Sequence, residues 1–571
     1  MSQEMRLIMA IVLSGVVLFG YHLLFPTPKP EMATTQATEQ AQSTQAVASQ
    51  AQPALGQNLP EQDNFSQPKV DVITEGETVA EPKDIVIETT QSKITLSTRG
   101  GLLTSYELKD YKREAKEDSP VKNLLTETKG STALFLGFKG YSRLTKNKVF
   151  KVIEDKKINE NVRAITLEWA NNMLRMTKTF QFDLSKKDYA ITVGYTLQNL
   201  SALDLTVKPY IENMIKQKPE PKEKGGILSY IAFDRPDMFS LYYLEDKNLT
   251  YDENWKKFSG ERQSTGNIYW SAIADRYFMF AVIPDEKVAQ TPSTRFARQD
   301  DSMVNQLFNG EVTLTPQQKI KGSYVAYIGP KIMSNLGAVS KNLERAVDYG
   351  WFSFLALPIL WLMTFLRTFI PSWGVVIIVL TFIVKILLHP FNKKSMQSMK
   401  SMQLLQPKMQ EIKKKYADDK EKQNQEVMQL FRTHKVNPMG GCLPMLLQFP
   451  VYIALYKVLW NAIELYHVPF MGIYADLSAP DPYYVSPVLL GVFMFLQQKL
   501  TPTASTDPMQ QKMMMFMPVM FTVFMLFLPV GLVIYIFVNT FMSVIQQYMI
   551  KHDLTMKDIL RGKFKPDPAT V

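Results

Sequence analysis

The chain is almost devoid of cysteine, with a single residue, Cys442, among its 571. One thiol can form neither an intrachain disulfide nor a cysteine-based metal cluster. Residues 81–330 also lack a P-loop, a Gly-x-Ser-x-Gly elbow and a zinc-binding pattern. We therefore expect no cofactor, no metal site and no catalytic residue.

Histidine is scarce, and none of the five histidines lies between residues 81 and 330. They are His22, His389, His434, His467 and His552. A large β-sandwich could be a carbohydrate-active domain, but sugar-ring chemistry of the mutarotase kind usually needs a histidine acid or base. Carboxylate pairs remain an alternative, because Asp and Glu are plentiful there. We expect this region to bind or to act as a spacer, and we expect no small-molecule substrate.

Long apolar runs are absent from residues 26–350 and dominate residues 351–550, so the chain has two unlike halves. One further run, 7–25, lacks an Ala-x-Ala cleavage site and is long for a signal peptide. We interpret residues 1–25 as an uncleaved transmembrane anchor with a cytoplasmic N-terminus. Residues 26–80 are rich in Gln, Ala, Thr and Pro and predict a disordered linker, because they cannot bury enough apolar surface to offset chain entropy.

Residues 81–332 alternate apolar and polar side chains at period 2. The alternating runs are 84–88, 93–97, 163–169, 189–197 and 204–210. Glycine pairs at 100–101 and 225–226 interrupt the pattern. Many short strands with turns between them predict a large antiparallel β-sandwich domain.

Residues 373–391 are long and apolar enough to cross a bilayer, yet they contain Lys385. A lysine near the middle of a membrane helix costs about 2.5–3.5 kcal/mol on insertion scales. The side chain could reach water at the nearer helix end, or it could have a function. The span by itself leaves both alternatives open.

Charge predicts the topology. Residues 392–440 carry 11 Lys/Arg against 5 Asp/Glu, which places them in the cytoplasm. The β-sandwich follows a cytoplasmic N-terminus, so an odd number of spans must separate it from this segment. We therefore expect 333–372 to hold a connecting helix and an interfacial amphipathic helix, and 373–391 to be transmembrane helix 2. Residues 441–550 would form transmembrane helices 3 to 6, followed by a basic cytoplasmic tail, 551–571.

The cytoplasmic segment has helical spacing on both sides of a break at 417–419 and predicts a helical hairpin. Its apolar stripe contains Met396, Met399, Met402 and Met409. This stripe could pack the hairpin, or it could offer an adaptable contact surface to variable apolar partners, because methionine is flexible and polarisable.

The later spans contain scattered polar groups but no second strong charge at depth. These groups are Gln448, Asn461, Thr522 and Asn539, with Glu464, Gln497 and Gln498 near helix ends. An ion-coupled transporter normally has intramembrane acids and often internal repeats, and neither is visible. A lone cation among amides and hydroxyls suits a wet cavity that attracts acidic residues of a passing polypeptide.

Six stretches carry a further signal. They are WGVVIIVLTFIVK (373–385), LQPKMQEIKKKYADDK (405–420), KVNPMGGCLPMLLQFPVYIALY (435–456), DLSAPDPYY (476–484), TDPMQQKMMMFMPVMFTVF (506–524) and PVGLVIYIFVN (529–539). Together with the layout of the whole chain, they resemble the Gram-negative form of the YidC/Oxa/Alb family of membrane protein insertases.

The resemblance implies an α-helical polytopic membrane protein of six transmembrane helices, five of which surround a hydrophilic groove open to the cytoplasm and the lipid. The family's groove cation is an arginine at the position of Lys385. Thr381 and Gln448 match polar groove positions, and Tyr535 matches the first residue of an aromatic pair that contacts substrates. The second position of that pair is Ile536 here, so no stacking or hydroxyl role is expected of it.

The resemblance also implies the function and the partners. We expect a non-enzymatic insertase and chaperone of the bacterial inner membrane that serves nascent membrane proteins, alone or with the Sec translocon. The hairpin, the loop 501–512 and the basic tail would meet the ribosome. Both termini would be cytoplasmic and the β-domain, a supersandwich in this family, would be periplasmic.

Overall fold

A computed structural model describes residues 81–551, except 127–129, 140–144, 186–187, 217–238, 253–259, 286–291, 418, 435, 437–442 and 501–507. The expected anchor, the linker, the turn at 225–226, most of the loop 501–512 and the tail beyond residue 551 lie outside the described residues. The described chain forms a β-rich unit up to Pro330 and a helical unit from Met333 onward.

Twenty strands form the β-rich unit in the described part of the chain. They are β1 (Asp84–Glu88), β2 (Ser92–Ser97), β3 (Leu102–Lys112), β4 (Val121–Asn123), β5 (Thr132–Phe138), β6 (Lys151–Lys157), β7 (Val162–Ala170), β8 (Leu174–Asp183), β9 (Ala190–Asn199), β10 (Leu205–Val207), β11 (Pro209–Lys216), β12 (Ser240–Glu245), β13 (Asn248–Asp252), β14 (Glu261–Ser264), β15 (Ile268–Ala274), β16 (Phe278–Pro284), β17 (Ser293–Gln299), β18 (Ser302–Phe308), β19 (Val312–Leu314) and β20 (Lys319–Pro330).

Eighteen of the strands build two antiparallel nine-stranded sheets, and β10 pairs with β19 in a separate two-stranded sheet. One nine-stranded sheet has the order β1-β2-β3-β5-β11-β18-β17-β14 with β4 beside β3, and the other has the order β13-β12-β15-β16-β20-β9-β8-β7-β6. Ser271 of β15 donates to Asn305 of β18 across the sandwich at 3.1 Å. Apolar side chains dominate the space between the sheets, with Trp270, Leu136 and Phe180 fully buried. A few polar side chains such as Lys178 and Asn305 are buried among them. The β-sandwich predicted from the period-2 alternation is confirmed.

Eight helices follow in the described residues. They are α1 (Met333–Val339), α2 (Ser353–Arg367), α3 (Trp373–Lys415), α4 (Lys420–Thr433), α5 (Leu443–Asn461), α6 (Val485–Leu500), α7 (Pro508–Met525) and α8 (Val530–Lys551). The connecting helix expected within 333–372 is only seven residues long, because Ser340 has an extended backbone (φ −152°, ψ 144°) and Asn342 has a left-handed one (φ 66°).

Helix α3 is longer than predicted. It runs for 43 residues, about 65 Å at 1.5 Å per residue, and passes residue 391 without a break. Pro390 and Pro407 lie inside it and each removes one backbone hydrogen bond. The transmembrane segment and the first arm of the hairpin are therefore one rod, and the hairpin turns only after Lys415, where Asp419 caps α4 by accepting from the Lys422 N–H at 3.0 Å.

Three helices in the described residues are long and apolar enough to cross a membrane: Gly350–Arg367, Trp373–Met402 and Val530–Met549. The first overlaps the segment expected to lie along the outer interface. Its large aromatic side chains are exposed, Trp351 to 92%, Phe354 to 73% and Trp361 to 66%. Both a span and an interfacial position fit such a surface, so the interfacial position and the count of six spans stay predictions.

The β-rich unit is docked on the helical unit at the C-terminal end of α5. Arg276, in the turn between β15 and β16, donates from Nε to the Trp460 carbonyl oxygen, and its guanidinium lies 3.7 Å from the Trp460 ring centroid. The Tyr466 hydroxyl donates to the Lys112 carbonyl oxygen at 3.1 Å, and its ring packs edge-on against Tyr277. These contacts hold the C-terminal end of α5, the helix that also contains Gln448, one of the residues expected in the groove.

Candidate functional site

Lys385 points into the helical unit. On α3 it follows Ile377 and Thr381 at intervals of four residues, so these three side chains share one face. That face is buried, with exposures of 0%, 1% and 8% in the same order. The neighbouring Ile386 and Leu387 are 70% and 72% exposed and form the opposite, apolar side.

The ammonium group of Lys385 is held by α8. Nζ donates to Ser543 Oγ at 2.5 Å, to Asn539 Oδ1 at 3.3 Å and to the Asn539 carbonyl oxygen at 3.4 Å. An ammonium has three donors, so these three acceptors match its full capacity. All three acceptors are neutral, and no carboxylate lies within ion-pair distance of Lys385 among the described residues.

Two further expected site residues, Gln448 and Tyr535, contact each other. Gln448 Nε2 on α5 donates to the Tyr535 hydroxyl on α8 at 2.8 Å. Tyr535 packs edge-on against Tyr452 at 5.8 Å between ring centroids, and Asn539 Nδ2 donates to the Tyr452 hydroxyl at 2.8 Å. The cation and the tyrosine pair therefore belong to one network that joins α3, α5 and α8.

We call this network the polar seam. It consists of the side chains of Lys385, Gln448, Tyr452, Tyr535, Asn539 and Ser543. Every member is at most partly exposed, and Tyr535 is completely buried. Thr381 lies one turn from Lys385 but bonds within its own helix, since its hydroxyl donates to the Ile377 carbonyl oxygen at 2.7 Å. Ile536, beside Tyr535, is 8% exposed and offers only apolar surface.

Sequence reasoning assigned no role to Tyr452 or Ser543 and noted Asn539 only as one of several polar groups. The sequence does contain a signal for Asn539 and Ser543. Tyr535, Asn539, Ser543 and Gln546 recur at intervals of four, four and three residues, which is one helix face. Gln546 extends the polar line by one turn, with Nε2 lying 3.0 Å from His389 Nδ1 on α3.

The described hairpin methionines are buried, whereas a contact surface needs exposed side chains. Met396, Met402 and Met409 are 8%, 4% and 5% exposed and pack with Leu405 and Phe431 in a small core between α3 and α4. The packing alternative therefore describes these three positions, and a partner could reach them only where the hairpin opens. The side chain of Met399 lies outside the described residues.

No group of three or more His, Cys, Asp or Glu side chains in the described part of the chain could hold a metal ion. The chemistry of the polar seam is that of a cation solvated by hydroxyl, amide and carbonyl oxygens.

Two family models match the chain. The model described as YidC periplasmic domain matches residues 84–362, and the model described as 60Kd inner membrane protein matches residues 365–558. A membrane protein insertase YidC of Geobacter metallireducens is 35% identical over 560 residues, which cover 96% of this chain and 99% of the relative. The chain belongs to the YidC family of membrane protein insertases.

A second relative supports the same family. The membrane protein insertase YidC of Vibrio cholerae is 34% identical over 577 residues, covering 98% of this chain and 99% of the relative. A solved structure described as an active YidC insertase with the first transmembrane domain resolved is 19% identical, covers 83% of this chain and 93% of that one, and has a TM-score of 0.36. The YidC models divide this chain between Leu362 and Phe365, near the end of α2.

Proposed function

We propose that this chain inserts proteins into the inner membrane and helps them fold, through a hydrophilic groove built around the polar seam. The observation that supports this most directly is the setting of Lys385. A buried cation that has only neutral partners keeps the capacity to attract an acidic group, because its charge is solvated but not neutralised.

The groove would lower the barrier for the polar flank of an incoming segment. Carboxylates and backbone amides of that flank would meet Lys385, Gln448 and Tyr535 instead of hydrocarbon, where unsatisfied polar groups cost several kcal/mol each. The apolar part of the segment would then move sideways into lipid, which yields about 25 cal/mol per Å² of apolar surface removed from water. This partition supplies the driving force, and no nucleotide hydrolysis is involved.

Orientation and partners complete the proposal. The basic hairpin α3–α4 would face the cytoplasm with both chain termini, in agreement with its excess of Lys and Arg, and the β-rich unit would lie in the periplasm. Ribosomes that deliver nascent membrane proteins would meet the hairpin, the loop 501–512 and the tail 551–571, because rRNA phosphates attract basic segments. The chain would work alone or beside the Sec translocon.

The experiment is insertion of a single-span client into proteoliposomes that contain the purified full chain. Lys385→Ala should lower insertion strongly, since it removes the only charge of the seam, whereas Lys385→Arg keeps the charge and should retain insertion. Ile386→Ala, on the lipid-facing side of the same turn, is the matched control and should behave as the wild type. Equal insertion by Lys385→Ala and the wild type would refute the groove mechanism.

A further inference from the structure

Lys385 is engaged by its own protein. Its closest partner, Ser543 Oγ at 2.5 Å, also donates to the Asn539 carbonyl oxygen at 2.8 Å, so the hydroxyl is oriented with a lone pair toward the ammonium. Asn539 is oriented in the same way. Its Nδ2 donates to the Tyr452 hydroxyl at 2.8 Å, which leaves Oδ1 to face Lys385.

We propose that Asn539 and Ser543 form a latch that holds Lys385 in the resting state, and that the carboxylate of a client must displace this latch before the client is inserted. The proposal rests on the proposed function, because it takes acidic client residues as the partners of Lys385. The latch adds two specificity-determining residues, Asn539 and Ser543. Clients would then be selected by the acidity of their polar flank.

Burial supports the latch. Lys385 is only 8% exposed, and the apolar residues that follow it on α3 face outward. A client side chain can therefore reach Nζ only if one of the three acceptors on α8 gives way. Because Asn539 also holds Tyr452 on α5, its displacement loosens the contact among three helices rather than a single side-chain bond.

The chemistry of the exchange gives it a direction. Hydrogen bonds from an ammonium to neutral oxygens lack the charge–charge attraction that a carboxylate partner adds. An aspartate or glutamate of the client would thus replace Ser543 and Asn539 favourably, whereas a client flank with only amides or hydroxyls would exchange one neutral partner for another. Lys385 would therefore leave Asn539 and Ser543 for a client whose flank is acidic, but not for a client whose flank is neutral.

The decisive variant is Asn539→Asp in the full chain, a substitution that changes one terminal group and supplies a permanent carboxylate to Lys385. We expect insertion of a client with an acidic flank to fall by about fivefold or more, because the carboxylate introduced at position 539 pairs with Lys385 and the client's acid must displace it. Insertion of the same client with its acids replaced by Asn and Gln should change by less than about twofold, because that client does not compete for Lys385.

Ser543→Ala tests the latch in the opposite direction. It removes the closest acceptor, so photocrosslinking of the acidic client to the groove should increase relative to the wild type. Thr540→Val is the matched control, since Thr540 lies on the same helix and is buried to 5% exposure but makes no contact with Lys385, and it should leave both readouts unchanged.

The two proposals fail in different ways. If Lys385→Ala inserts as the wild type does, the groove mechanism itself is wrong. If Lys385→Ala is impaired but Asn539→Asp inserts the acidic client normally, or impairs acidic and neutral clients equally, the latch is wrong and Asn539 has a structural role only. Thermal unfolding of each full-length variant identifies the case in which Asn539→Asp does not fold, and the Ser543→Ala crosslinking then decides.

Discussion

Two lysines, one in each half of the molecule, are buried without a carboxylate partner among the described residues, and they differ in what surrounds them. Lys178 of β8 is completely buried in the β-sandwich, and its Nζ donates to the Gly100 carbonyl oxygen at 2.6 Å and the Gly101 carbonyl oxygen at 3.3 Å. The rings of Phe135 and Phe150 lie 5.0 Å and 4.6 Å from Nζ. Lys385 instead meets side chains of a separate helix.

The difference lies in whether the partners of the buried cation can be exchanged. Those of Lys178 are fixed, whereas those of Lys385 can be replaced. The partners of Lys178 are backbone carbonyls and core rings, which cannot rotate away without unfolding the turn at 100–101. The main partners of Lys385 are a hydroxyl and an amide, which can rotate and can be replaced by a stronger acceptor. We infer that Lys178 stabilises the β-sandwich and that Lys385 acts on clients.

The largest expected effect on client insertion comes from making the same substitution at both positions. Lys385→Met should lower client insertion by about tenfold or more, equivalent to at least about 1.4 kcal/mol, and should leave the fold intact. Lys178→Met should insert clients as the wild type does. The measurement is insertion into proteoliposomes, with thermal unfolding as the check on folding. Equal activity losses at the two positions would remove the distinction drawn between them.

Truncating the core lysine should have the largest effect on stability. Lys178→Ala removes a side chain that fills the space between Phe135 and Phe150, and it leaves the carbonyls at 100–101 without a donor. We expect the free energy of unfolding of the β-rich unit to fall by about 2–5 kcal/mol. Denaturant unfolding of the full chain, compared with Lys178→Met, measures this. Lys178→Ala and Lys178→Met of equal stability would show that packing at this position is unimportant.

The pH dependence of stability tests the same site more gently. Burial lowers the pKa of Lys178 well below the ordinary lysine value of 10.5, so the unfolded chain binds more protons at alkaline pH. Stability should therefore rise as pH increases toward 10.5, by at most about 1.4 kcal/mol per pH unit. Lys178→Met has no amine to titrate, so the difference in free energy of unfolding between this variant and the wild type should change in the same window. A pH-independent difference between the two proteins would contradict this.

An exposed ion pair supplies the smallest expected effect. Arg163 donates to both carboxylate oxygens of Asp155, at 2.9 Å and 2.8 Å, and these hydrogen bonds lower the pKa of that carboxyl. Both side chains remain partly exposed, so Asp155→Asn should lower the free energy of unfolding by less than about 1 kcal/mol. A larger loss, measured by denaturant unfolding, would contradict the small contribution expected of an exposed ion pair.

Local patterns were sufficient to predict much of the fold. The period-2 alternation identified β1 and β7 nearly to the residue, and it works because neighbouring side chains of a strand point to opposite faces. The break before α4 was likewise visible in residues 417–419. Lys385 could be singled out because one charge in an apolar span is unusual in itself.

Other features depend on contacts that the local sequence does not contain. The partners of Lys385 lie 154 and 158 residues away, so their identity follows from the packing of α3 against α8. The same holds for the methionines, whose exposure is decided by Phe431 on the other arm of the hairpin. The length of α3 could not be predicted either, because Pro390 and Pro407 usually end or kink a helix.

The most direct test of the central claim is site-specific photocrosslinking of a ribosome-bound nascent membrane protein to the full chain. Probes at Thr381, Gln448 and Tyr535 face the polar seam or its helix face, and a probe at Leu387 faces away from it. The account predicts that the three groove probes capture the client during insertion and that Leu387 captures much less. Capture at Leu387 with none at Thr381, Gln448 and Tyr535 would contradict it.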